Sequence, residues 1–172
     1  MKIKNFEQLL HHQIADLMSA ETQLIEALPE MATAATSKDL KKAFNDHLKE
    51  TKNQLKRLEQ IQQELKNSDK TTCKAMKGLI AEGSEALKDV EPGHVLDAAL
   101  IGAAQRVEHY EIAAYGTAKC HAQMCGLTKI VALLEETLQE EGNADKLLTK
   151  IATSHVNQEA IDEQMAATST KK

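Results

Sequence analysis

Aromatic residues are almost missing from this chain, which has two Phe, two Tyr and no Trp, and Pro (two), Gly (seven) and Val (five) are nearly as scarce. Sheets draw on β-branched and aromatic side chains and on Gly/Pro turns, so this scarcity excludes sandwiches and barrels and argues against a parallel sheet. Arginine occurs twice and the net charge is −5. No basic cluster stands out before the terminal Lys171-Lys172, so there is no footprint for a phosphate backbone and no nucleic-acid partner is expected. No stretch approaches 18 uncharged apolar residues, and the start, Met1-Lys-Ile-Lys-Asn-Phe-Glu7, meets charge too early to form the apolar core of a signal peptide. The expectation is a cytoplasmic protein with no membrane partner. Cysteines are few and odd in number, Cys73, Cys120 and Cys125. Reduced thiols are expected rather than a disulfide framework, with Cys120 and Cys125 packed as small hydrophobes.

What the chain has in abundance is helix formers: Ala, Glu, Lys, Leu and Arg make up 83 of 172 residues. That is the composition of long packed helices, in a length that suits one domain with a sizeable core. The expected domain covers 1–165, with 166–172 a disordered tail. Breaks at Thr36 to Asp39, Asn67 to Thr72, Glu91-Pro92-Gly93 and Cys125-Gly126 predict four long helices: Asn5 to Ala35, a Ser37-capped helix to Lys66, Val95 to Met124, and Thr128 to Met165. A short helix from Thr72 to Val90 falls between the second and third. The fold class is therefore all-α: an antiparallel four-helix bundle of two hairpins joined by one long crossover that contains the short fifth helix, which is ferritin-like connectivity. The crossover is expected to run the length of the bundle with the first and third long helices parallel.

Each long helix interrupts its apolar stripe with acid near its middle. The first reads Leu10, Ile14, Leu17, Glu21, Leu24, Leu28, and the second Leu40, Phe44, His47, Glu50, Gln54, Leu58. The third reads Leu100, Ala104, Val107, Glu111, Tyr115, Ala118, with Glu108 one turn before Glu111 on the same face. The fourth reads Ile130, Leu134, Leu138, Glu141, Asp145, Leu148, with Glu140 on the neighbouring row, so the sequence leaves open which of Glu140 and Glu141 points furthest inward. In an antiparallel pair, residues equidistant from the turn share a height. Glu21 and Glu50 straddle the first turn symmetrically, and Glu111 and Glu141 straddle Gly126, so the chain holds two copies of one plan. Each acid lies about 15 residues from its turn, roughly 22 Å along the helix, so four carboxylates are expected at one level in mid-bundle.

Converging buried carboxylates cost several kcal/mol each when unpaired and raise one another's pKa. Two bound cations remove that cost. An oxygen-rich set with at most one imidazole suits two iron ions, or alternatively manganese, and offers no thiolate cage for zinc or copper. The metal set expected is Glu21, Glu50, Glu108, Glu111, Glu141, Asp145 and His47, with Gln54, Tyr115 and Glu140 supporting it; no catalytic residue separate from the ligands is expected. Carboxylates that shift between terminal and bridging modes suit redox cycling with dioxygen or peroxide.

This plan resembles the ferritin-like superfamily. Four segments, His47-Leu-Lys-Glu50-Thr, Cys73-Lys-Ala-Met76-Lys-Gly-Leu, Glu108-His-Tyr-Glu111-Ile-Ala-Ala-Tyr-Gly-Thr and Thr137-Leu-Gln-Glu-Glu-Gly-Asn-Ala-Asp145, resemble the YciF family of bacterial stress-induced proteins. The likeness runs from about residue 3 to 160. It implies a homodimer of ferritin-like subunits with a dinuclear site akin to that of rubrerythrin. Glu21 would be the ligand of the first helix, Glu50 and Glu141 bridging or chelating acids, and Glu108 with Glu111 the pair that rubrerythrins also place on the third long helix. The superfamily's acid-x-x-His pattern is broken, because Asn53 follows Glu50 and Ala144 follows Glu141, while His47 precedes Glu50 by three. No four-cysteine rubredoxin module is present, so turnover would need an external reductant. The leading expectation is a dinuclear iron or manganese protein of the stressed cytoplasm that reacts with peroxide or dioxygen or oxidises Fe(II). The alternatives are a non-catalytic metal-binding protein and a metal-free dimeric interaction protein.

Overall fold

The predicted breaks are helix ends in the computed structural model, which describes residues 2–169. Helix α1 spans Phe6–Ala34, α2 Lys38–Glu64, α3 Lys74–Asp89, α4 His94–Met124 and α5 Thr128–Ile151. A single π-helical turn, Ala152–Val156, then leads into α6, Asn157–Ser169. One uninterrupted helix was expected there. Around this turn the Thr153 hydroxyl donates to the Thr149 carbonyl and the Ser154 hydroxyl to that of Ile151. Helical backbone runs to Ser169, inside the stretch expected to be a tail; residues 170–172 lie outside the described residues.

The ends are capped as their residues dictate. The Asn5 side chain accepts from the Gln8 amide and the Ser37 hydroxyl from the Leu40 amide. At the end of α4 the left-handed Gly126 (φ 71°) lets the Leu127 amide reach back to the Ala122 carbonyl and the Gly126 amide to that of Gln123. The end of α2 closes in the same way on Lys66 (φ 49°), a residue whose Cβ makes that conformation costly. Asp97 ties the first turn to α4: fully buried, it accepts from the amides of Thr36 at 2.7 Å and Ser37 at 2.8 Å.

Helix α1 packs along α2 and α4, α5 along α4 and α2, and α3 lies across α1 and α4. The crossover containing α3 does run the length of the bundle, and this corrects one expectation: α1 and α4 are antiparallel. Gln13 meets His121, Asp16 meets Tyr110 and Glu21 meets Tyr115. Since α2 ends where α1 began, only a third long helix running alongside α2 in the same sense needs a connection that spans the bundle. Leu10, Ile14, Leu58, Ile61, Ala122 and Ile130 fill the end near the α4/α5 turn. Leu24, Leu28, Phe44, Leu100, Met76 and Leu148 fill the end near the α1/α2 turn. Each Leu, Ile or Phe buried in either block contributes roughly 1.5–3 kcal/mol. Between the blocks lies a polar layer. The three cysteines are unpaired as expected, but only Cys73 is buried; Cys120, near the end of α4, is exposed and Cys125, which caps that helix, is half-buried.

Replacing Asp97 with Ala strands the buried Ser37 amide and removes the acceptor of the partly buried Thr36 amide, and is expected to lower stability by about 2 kcal/mol in urea unfolding. Lys66→Gly relieves the left-handed strain and is expected to raise it by about 1 kcal/mol in the same measurement.

Candidate metal centre

Helical spacing brings four side chains to the middle of the polar layer: His47 from α2, Glu108 and Glu111 from α4, and Glu141 from α5. One ligand atom of each lies within 4.8 Å of those of all the others, and all four residues are buried. His47 Nε2 is 3.4 Å from Glu108 Oε1 and 3.9 Å from Glu141 Oε2. Helix α1 adds Glu21, also fully buried, whose Oε1 accepts a hydrogen bond from the Tyr115 hydroxyl.

Much of the layer's polar capacity is unused. Both oxygens of Glu111 and of Glu141, Glu21 Oε2, Glu108 Oε2 and both nitrogens of His47 are buried without a hydrogen-bond partner. Burial raises the pKa of each carboxyl: Glu111 and Glu141 lie well above the carboxylate range, pushed further by neighbouring glutamates, and Glu108 is raised despite the imidazole beside it. Glu21 is pushed up to about 8 by burial, against the opposing pull of the Tyr115 hydrogen bond and of His47. Burial alone would depress the His47 imidazole, but Glu108, Glu50 and Glu21 outweigh it and raise its pKa. A multivalent cation meets every one of these demands, because it supplies charge and lone-pair acceptors to oxygens that otherwise must hold protons. The donor set of three carboxylates and one imidazole could hold a metal ion.

The other candidates stand around this group. Glu50 is at the rim, its side chain 50% exposed and its Oε2 3.6 Å from His47 Nδ1. Asp145 is half-buried, accepting from Gln105 at 2.9 Å and lying 3.3 Å from His109. Of the neighbouring acids on α5, Glu141 enters the layer, while Glu140 is gripped by Arg57 through two bonds of 2.8 and 2.6 Å and accepts from Gln54 at 3.1 Å. Gln54 is fully buried, with its Oε1 unpartnered. Sequence reasoning missed Arg57. Its signal was available, since it is one of two arginines and stands three residues after Gln54 on the same helix face. Also unforeseen was the chain from Cys73 Sγ to the Tyr110 hydroxyl (2.8 Å), which in turn donates to Asp16 at 2.8 Å on the outer side of α4.

A family model described as a domain of unknown function, DUF892, matches residues 5–161. Protein YciF of Escherichia coli (strain K12) is 43% identical over 162 residues, covering 93% of this chain and 98% of that protein. The crystal structure of the E. coli stress protein YciF superposes with a TM-score of 0.86 over 90% of this chain and 99% of its own. YcfI from Rhodopseudomonas palustris is 40% identical, with a TM-score of 0.83 over 86% of this chain and 95% of its own. Among the described residues no helix is long and apolar enough to cross a membrane.

The raised carboxyls fix the sign of a pH dependence. Between the ordinary glutamate value of 4.5 and about 8, the folded metal-free chain holds more protons on Glu21 than the unfolded chain does, so this contribution to stability falls as pH rises. The raised Glu108, Glu111, Glu141 and His47 act in the same direction. Thermal melts of the metal-free protein are therefore expected to show Tm decreasing from pH 5 to pH 8. Adding Mn(II) is expected to raise Tm most at the upper end and to release protons in a lightly buffered solution.

Proposed function

This chain belongs to the DUF892 family, and from that premise we propose that its mid-bundle layer holds two iron or manganese ions and reacts with peroxide or dioxygen, or oxidises Fe(II) as a substrate. The observation that carries this reading is the set of buried, unpartnered oxygens of Glu108, Glu111 and Glu141 around the equally unpartnered imidazole of His47. These four would hold one ion. Glu21 and Glu50, with carboxylates shared from α4 and α5, would hold the second. Bound there, the ions supply a redox couple and Lewis acidity that no side chain of the layer has.

The remaining roles belong to the chain. Tyr115 fixes the carboxylate of Glu21 through its hydroxyl, leaving Oε2 available. Arg57 neutralises Glu140 and, through it, holds Gln54 against the layer. The apolar blocks at both ends keep bulk water from the buried acids, which strengthens every charge interaction inside. Glu50, half exposed beside His47 Nδ1, connects the imidazole to solvent and can pass protons between them. We extend the proposal to a homodimer in the cytoplasm that draws electrons from an external reductant. The E. coli relative's description as a stress protein supports this setting.

The R. palustris relative is called a structural protein, which favours a second reading in which bound metal ties the four helices together without turnover. One experiment separates the two. The chain is purified without chelator from cells supplied with iron and manganese, beside a Glu111→Ala/Glu141→Ala variant of equal helicity. About two metals per wild-type chain and near none in the variant are expected, with peroxide consumption or Fe(II) oxidation well above the rate of free metal. Metal without rate enhancement would leave the structural reading, and metal near zero in both proteins would overturn the centre.

A further inference from the structure

A cavity of about 210 Å³ adjoins the polar layer on the side of the α1/α2 turn. Its body is apolar, formed by Leu24 and Leu28 of α1, Phe44 of α2, Val107 of α4 and Leu148 of α5. One wall is polar, and it is made of His47 and Glu108, residues of the candidate metal centre itself. Its rim lies on the α2/α5 seam, where Glu50, Asn143 and the exposed Leu147 meet solvent. The seam stays open because Ala43 and Ala144 face the cavity with only methyl groups.

Size, polarity and charge restrict what such a space accepts. An apolar cavity of about 150 Å³ is enough to take up benzene, so this one holds a molecule of benzene's size or slightly more. In the metal-free chain Glu108 Oε2 and both His47 nitrogens are buried and unpartnered and can exchange a hydrogen bond with an O–H group; Nε2 is turned toward Glu108 and Glu141, so Nδ1, on the side of Glu50, keeps this capacity when an ion is held. Asp46, Glu50 and Glu108 all face the space, which opposes an anion. A cation finds no carboxylate left to itself, because Lys42 and Lys49 already pair with Asp46 and the His47 imidazole lies beside both Glu50 and Glu108, and the Leu, Phe and Val walls offer a full charge nothing.

We propose that this cavity binds a neutral organic molecule with an apolar body about the size of an aromatic ring and a single hydroxyl or hydroperoxyl end, that end meeting His47 and Glu108. This deepens the proposed function by naming an organic hydroperoxide or alcohol as the class of molecule presented to the centre. Reactivity rests on the metal reading; binding does not. The two can therefore fail separately.

The test uses chelator-treated, metal-free full-length chain titrated with benzyl alcohol, benzoate and benzylamine while the methyl NMR signals of Leu24, Leu28, Met31 and Leu148 are followed. Benzyl alcohol is expected to give saturable shifts confined to these methyls, with benzoate and benzylamine at least about tenfold weaker. Ala144→Leu fills the seam and is expected to weaken benzyl alcohol by about tenfold or more while leaving helicity and metal stoichiometry unchanged. Ala43→Leu closes the same space from the opposite helix and serves if the first variant does not fold. Absence of saturable shifts, charged probes binding as tightly as the alcohol, or undiminished binding in a folded seam variant would each overturn the proposal. Loss of alcohol binding with metal content intact would count against the cavity alone; retained alcohol binding in a chain that takes up no metal would count against the centre alone.

Discussion

Carboxylates taken out of water in the middle of a helical bundle impose the cost around which the rest of this structure is arranged. Glu21, Glu108, Glu111 and Glu141 are buried, converge from three helices and have pKa values raised above the usual range by burial and by one another's charge. A core selected for stability alone would carry leucine at these positions, since apolar replacement of buried charge is often neutral or stabilising. Their presence makes sense only if something offsets the desolvation. Protons do so in the metal-free chain, and multivalent cations would do so with far greater effect.

The surrounding fold carries that cost through its geometry. Two apolar blocks, one at each end, fix the four helices independently of the layer, so the bundle keeps its shape while the acids remain poorly paired. The long crossover makes α1 and α4 antiparallel and sets Glu21 against Tyr115, whose hydroxyl donates to it. Arg57 draws Glu140 out of the layer and leaves Glu141 to enter it. The imidazole arrives from an unusual place. Asn53 and Ala144 stand where the superfamily pattern has histidine, and His47, one turn ahead of Glu50, reaches the cluster instead. The methyl group of Ala144 then lines the cavity that opens along α2 and α5.

Membership of the DUF892 family and the likeness to the E. coli stress protein YciF agree with the architecture over nearly the whole chain. Neither assigns a reaction. What the layer contributes is chemical: oxygen donors with one imidazole, dry walls on two sides, one half-exposed carboxylate at the rim and an apolar cavity against the same imidazole.

The limits of the first four helices, the start of the fifth and the common height of the acids were legible in the amino-acid sequence, because they follow from local periodicity, from Ser37 and Gly126 at the ends, and from symmetric spacing about each turn, whereas the π turn after Ile151 was not. Spacing gives the height of a side chain and says nothing of its rotamer or of how far its helix is rolled. For that reason Glu50, on the stripe by count, stands at the rim, and the choice between Glu140 and Glu141 waited on Arg57, more than 80 residues away in the chain. The direction of the crossover was also beyond local reading, since hairpin geometry fixes each pair of helices and leaves the relation between pairs to packing across the whole bundle. The cavity is likewise a property of four helices together: two alanines become an opening only when α2 and α5 are set face to face.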